Sequence, residues 1–164
     1  MTEPAAGPRD NITTRPAGVA DVGWLTDVFL TSLREAITAA RGAWDEVRES
    51  VQFREQLDLA STRIIEFHGR DVGFLMSPDH GGDIELHTLC IAPEWQSRGI
   101  GTYITRRVVS DALASGRGVV LSVLKSNERA RELYARLGFV LMEESKHHYR
   151  MHSSRPLTGD VEAQ

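Results

Sequence analysis

One glycine-bearing turn, Gln96-Ser97-Arg98-Gly99-Ile100-Gly101, separates two segments of different periodicity and constrains this chain more than any other feature. Before it, Ile84-Glu85-Leu86-His87-Thr88-Leu89-Cys90-Ile91 is a short apolar run closed by Pro93, the pattern of a buried strand. After it, apolar side chains recur at Ile100, Ile104, Val108 and Ala112, the spacing of one helix face. A strand that turns through glycines into a helix aims several backbone N–H groups at one point. Glycine lets the turn take backbone angles that a Cβ penalises, and it lets a ligand come close. The start of the helix adds about half a positive charge, so the point favours a phosphate. The three-glycine dinucleotide fingerprint is not met, and neither is the Lys-Ser/Thr ending of a nucleotide P-loop.

A second element stands about thirty residues downstream. There Asn127-Glu128-Arg129-Ala130-Arg131-Glu132-Leu133-Tyr134-Ala135-Arg136-Leu137-Gly138-Phe139 follows another apolar run, Val119 to Leu124. The two elements together resemble the GNAT superfamily of acetyl-CoA-dependent N-acetyltransferases, over roughly Asp83 to Val140. The resemblance implies an α/β fold of GNAT type, a mixed, mostly antiparallel sheet with helices on both faces. It implies acetyl-CoA as co-substrate, with no metal, and direct transfer to an amine substrate. Gln96, Ser97, Arg98, Gly99, Ile100, Gly101 and Thr102 would hold the pyrophosphate. The backbone of Leu89, Cys90 and Ile91 would lie along the pantetheine and aim N–H groups at the thioester oxygen. Asn127, Ala130 and Tyr134 would stand beside the pantetheine and thioester, with Tyr134 as general acid to the departing thiolate.

Charge supports this order of parts. The chain carries a net charge of -4, which argues against general nucleic-acid binding. Between Gln96 and Arg136 eight Lys or Arg face three Asp or Glu, a net of +5, which leaves -9 for the remainder. A basic segment around the two phosphate-facing elements suits a ligand as anionic as coenzyme A, and an acidic remainder favours a cationic acceptor. With 164 residues, 41% hydrophobic and 26% charged, the chain reads as an ordinary globular protein. No apolar run approaches a membrane span, the start has no secretory pattern, and Cys90 is the only cysteine. These features predict a cytoplasmic protein without a membrane partner. The assembly state stays open, a homodimer included.

In chain order, residues 1–10 read as a disordered tail, 11–153 as one domain and 154–164 as a loose C-terminal tail. Ile12 to Ala17 predicts a first strand, and Asp21 the N-cap of a helix with Leu25, Val28, Phe29, Leu33 and Ile37 on its inner face. Trp44, Val47 and Val51 predict a second helix that loses phase before Leu57. By resemblance this helical pair roofs the acceptor site, where Trp44 or Phe53 would shape it or pack the core. Thr62 to Phe67 and Val72 to Met76 predict a hairpin around His68-Gly69-Arg70-Asp71. Val119 to Leu124 reads as a strand covered on both faces. Phe139 to Met142 and His148 to His152 predict a final antiparallel pair.

Amide formation from a thioester requires a deprotonated amine, and an alkyl ammonium has a pKa of about 10, so a base is needed. On one continuous strand Glu85 and His87 share a face: Glu85 could take that proton through a water or His87 directly, with Asp83 a third candidate at the strand edge. Alternation turns Cys90 away from that face, against a covalent route. His147-His148 could suggest a metal, but adjacent strand residues point to opposite faces and no further ligands accompany them. A non-catalytic acyl-CoA sensor or structural module is the alternative from a different class.

Overall fold

The structure, a computed structural model, describes residues 11–154. The two expected tails lie outside the described residues, apart from Ser154. Eight strands and four α-helices follow in the order β1 (Ile12–Pro16), α1 (Val22–Arg41), α2 (Glu46–Gln56), β2 (Thr62–Phe67), β3 (Arg70–Met76), β4 (Ile84–Leu86), β5 (Thr88–Ile91), α3 (Ile100–Ala114), β6 (Val119–Leu124), α4 (Glu128–Leu137), β7 (Val140–Glu144) and β8 (His148–Ser153). Antiparallel pairing prevails: among the described residues only β4 and β6 run parallel.

The expected central strand is two strands in two sheets. β5 closes the sheet β1-β2-β3-β5, whereas β4 closes the sheet β4-β6-β8-β7. The break falls at His87, whose N–H still donates to Met76 O at 3.0 Å. The period-two face shared by Glu85 and His87 therefore ends at that junction. No glycine or proline marks it, because the cause is that the neighbouring strands β3 and β6 belong to different sheets.

Helices cover both faces of the first sheet. Ile64, Phe74 and Cys90 pack with Leu25, Val28 and Phe53 of α1 and α2. The alternate residues Ile65 and Leu75 face a larger cluster with Ile100, Ile104 and Val109 of α3, and with Tyr134 and Leu137 of α4. Trp95 touches both clusters.

Three local expectations need correction. Asp21 stands at the N-cap position but makes no side-chain cap; its carboxylate takes Arg15 and the Gly18 N–H instead, and Arg15 holds it below the usual carboxylate range. In α2 the inward stripe is Glu49 and Phe53, while Val47 is 76% and Val51 50% exposed. The N-cap of that helix is Asp45, which accepts from Arg48 N–H at 3.0 Å. β6 is buried at Val119, Leu121 and Val123 but exposed at Ser122, so one face is covered and the other is only partly so.

Candidate active site

Two clefts flank the end of β5, and Tyr134 lines both. The first has a volume of about 540 Å³ and lies between β5, the turn before α3, and α4. Leu89, Cys90 and Ile91 form one wall, and Asn127, Ala130 and Tyr134 form the other. Gln96, Ser97, Gly99, Ile100, Gly101 and Thr102 close the end. Arg98 alone of the turn lines neither cleft; its guanidinium lies over Trp95, 4.7 Å from the ring centroid.

The turn follows from its sequence. Gly99 caps α3 at φ +81, a left-handed angle that glycine takes without strain. Its missing side chain leaves the first N–H groups of α3 without a side-chain cap, and those groups have no partner inside a helix either. Ser97 is also left-handed, at φ +61. Gln96 Nε2 donates to Ile91 O at 2.9 Å and Ser32 Oγ donates to the same oxygen at 3.1 Å, which ties β5 to the turn and to α1. A Cβ at Gly101 would meet Leu133 and Ile91 only at ordinary contact distance. Across the cleft, Arg129 donates to Ser97 Oγ at 2.9 Å and brings a guanidinium to its rim. Uncapped N–H groups and basic side chains around one opening fit the phosphates of a coenzyme A.

Asn127 does cap α4, accepting from Ala130 N–H at 3.3 Å. Tyr134 is 7% exposed and packs edge-on against Phe139, with ring centroids 5.6 Å apart. Burial, with a smaller push from nearby Cys90, raises its phenol above the ordinary value. Burial pushes the Cys90 thiol up to about 12, so at neutral pH it is protonated and no nucleophile.

The second cleft, about 300 Å³, lies between α1, α2, the β4–β5 junction, β6 and the turn into β8. His87 lines it; Glu85 lines neither cleft. Glu85 instead lies 3.7 Å from His80 Nε2. Asp83 is engaged with Gly118 N–H at 2.9 Å and His152 Nε2 at 3.1 Å, where β4 meets β6. Phe53 lines the second cleft and stacks on Phe29, 4.3 Å between centroids. Trp44 lines neither cleft and lies beneath the Arg34 guanidinium.

Two residues of this cleft, Glu49 and Gln52, are not singled out by the sequence pattern. Glu49, 5% exposed, is held by Arg41, and Gln52 accepts from the same guanidinium nitrogen at 3.5 Å. His147 and His148 both line this cleft, since His147 precedes β8 and the alternation of a strand does not bind it. A carboxylate at α2's inward position, four residues before Phe53, was the one available clue to Glu49. Among the described residues no group of three or more His, Cys, Asp or Glu could hold a metal ion. No helix among them is long and apolar enough to cross a membrane.

Known proteins resemble this chain in sequence and in fold. The family model of the acetyltransferase (GNAT) domain matches residues 59–141. An uncharacterized N-acetyltransferase of Methanocaldococcus jannaschii is 32% identical over 96 residues, a match covering 54% of this chain and 42% of that protein. Among solved structures, the PaiA N-acetyltransferase of Thermoplasma acidophilum in complex with coenzyme A superposes with a TM-score of 0.68 at 18% identity, over 86% of this chain and 97% of that one. Naa50 of Arabidopsis thaliana, in complex with a bisubstrate analogue, superposes with a TM-score of 0.64 at 14% identity, over 88% and 99%.

Proposed function

The chain belongs to the GNAT family of acetyltransferases, and from that premise we propose that it moves an acetyl group from acetyl-CoA directly to an amine acceptor, a small molecule or a peptide N-terminus. One observation carries this reading: Tyr134 lines both clefts, so a thioester in the first and an amine in the second would meet at its phenol. Supporting it, the PaiA protein that this fold resembles is in complex with coenzyme A.

The residues divide the work as follows. The uncapped start of α3, Ser97 and the Arg129 guanidinium bind the phosphates of the donor. Backbone N–H groups of β5 orient the thioester carbonyl and stabilise the charge that builds on its oxygen. His87 takes a proton from the acceptor ammonium, since it is the candidate base that lines the second cleft. The freed amine attacks the carbonyl carbon, the C–N bond forms, and the C–S bond breaks. Tyr134 holds a hydrogen bond to the sulfur while the thiolate leaves and takes up a proton. Because burial makes this phenol a weaker acid than usual, it acts mainly by the hydrogen bond and not by complete transfer beforehand. One proton is released overall for each ammonium acetylated.

The test is thiol release from acetyl-CoA across a panel of polyamines, amino sugars, amino acids, arylalkylamines and peptides, with acetyl-CoA affinity measured alongside. Turnover of at least one class is expected. Tight acetyl-CoA binding with no thiol released by any acceptor would make the chain a sensor or structural module instead.

A further inference from the structure

The chain as a whole is acidic, yet the second cleft is not. Its lining contains one carboxylate, Glu49, and that carboxylate is already neutralised by Arg41. Around it stand His87, His147 and His148. A polyamine entering this space would find no uncommitted carboxylate. The charge of Arg41 is balanced by Glu49, but a carboxylate would still find hydrogen-bond donors there, in the guanidinium nitrogens that Glu49 and Gln52 do not use and in the rings of three imidazoles. Burial first, and then nearby His147 and Arg41, lower the proton affinity of His148, whereas a carboxylate bound beside it would act in the opposite sense. The stacked Phe29 and Phe53 supply an apolar wall. A volume of about 300 Å³ suits a small molecule.

We infer that the acceptor is a small amine carrying its own carboxylate, an amino acid in size and charge, seated with its carboxylate toward Arg41, His147 and His148 and its amine toward His87 and Tyr134. This deepens the transferase reading and rests on it. It also reverses the expectation, drawn from net charge alone, of a cationic acceptor: the excess acid of the chain lies elsewhere than in this cleft.

Matched acceptors test it, each amino acid beside the amine left when its carboxylate is removed: phenylalanine with phenethylamine, leucine with 3-methylbutylamine, with spermidine and a neutral-sided tripeptide as further arms. The expected result is a kcat/KM about tenfold or more in favour of the acid in each pair. His147→Gln/His148→Gln should narrow that ratio about fivefold or more while acetyl-CoA affinity holds. Arg41→Gln should narrow it too, but leaves the buried Glu49 unpaired and can unfold α2, so the histidine variant decides. Spermidine or phenethylamine turning over as well as phenylalanine overturns the inference and leaves the transferase standing. A tripeptide used better than the free amino acid also overturns it, in favour of a chain N-terminus. No turnover with any acceptor, despite acetyl-CoA binding, overturns the transferase reading and this inference with it.

Discussion

The two clefts share Tyr134 but are built by different means. One end of the first is backbone: the left-handed Ser97 and Gly99 and the uncapped start of α3. The second is mostly side chains brought from α1, α2, the β4–β5 junction, β6 and the turn before β8. A backbone-built site depends on the absence of side chains at its glycines and is indifferent to many neighbouring substitutions. A side-chain-built site has the opposite sensitivity. The donor side should therefore fail abruptly at single positions, while the acceptor side should change preference without losing the fold.

The sharpest way to break that contrast is Gly101→Asp. An aspartate in the first turn of α3 complements the helix dipole, and a Cβ there meets only ordinary contacts, so folding should survive. A carboxylate beside the donor's phosphates should nonetheless weaken acetyl-CoA binding about a hundredfold or more. Calorimetry giving near-native affinity in the folded variant would move the phosphate site away from this turn.

Tyr134→Phe probes the point where the clefts meet, and the expected effect is smaller. Turnover should fall about tenfold or more, with melting temperature and acetyl-CoA affinity nearly unchanged, because the ring and its Phe139 contact remain. The phenol donates in its protonated form, and burial raises its pKa, so its ionisation should not limit the rate below about pH 10. Between about pH 7 and 9 the rate should therefore rise as the acceptor ammonium loses its proton. A wild-type rate that declines over this interval would remove Tyr134 as a donor that stays protonated, and full activity in the phenylalanine variant would reduce it to packing.

The same division explains what could be read without coordinates. Gly99, Gly101 and the helix after them obey local rules, so the turn that closes the first cleft is legible as a strand, a turn and an apolar period. Asn127 as N-cap and Gly138 as C-cap are equally local. The acceptor site depends on partners distant in sequence. Glu49 is buried where Arg41 reaches it from another helix, on the face of α2 whose Phe53 packs into the core, and with that face inward Val47 and Val51 point outward. Ser122 was overlooked among apolar neighbours because which face of β6 is covered is set by packing and not by composition. The break at His87 likewise has its cause in β3 and β6, not in the residues beside it.

Cys90→Ala asks whether a nucleophile hides in the donor cleft. With its thiol pushed up to about 12, the thiolate fraction at pH 7 is roughly one in 10⁵. Turnover in the alanine variant should stay within about threefold of wild type, at a stability cost of about 1 kcal/mol for the lost buried volume. Intact-mass spectrometry of the wild-type protein after acetyl-CoA alone should show no acetyl adduct. A stoichiometric adduct that disappears with Cys90 would replace direct transfer by a covalent route.

Glu85→Gln should have the smallest effect, and it discriminates most finely between strand logic and cleft geometry. On a continuous strand Glu85 would share a face with His87 and act as the base. With the strand broken at His87, its carboxylate lines neither cleft and lies 3.7 Å from His80, which is 72% exposed. A pair this open to solvent contributes little to stability, so the glutamine variant should melt as wild type does. Turnover should stay within about twofold across neutral and mildly alkaline pH, whereas His87→Gln should cost at least tenfold at neutral pH and recover as the acceptor deprotonates. The two variants must be read together, because a base that works through a chain of waters need not line the cleft. A large loss in Glu85→Gln that shrinks at high pH, with His87→Gln nearly silent, would establish such a water path and return the proton to β4.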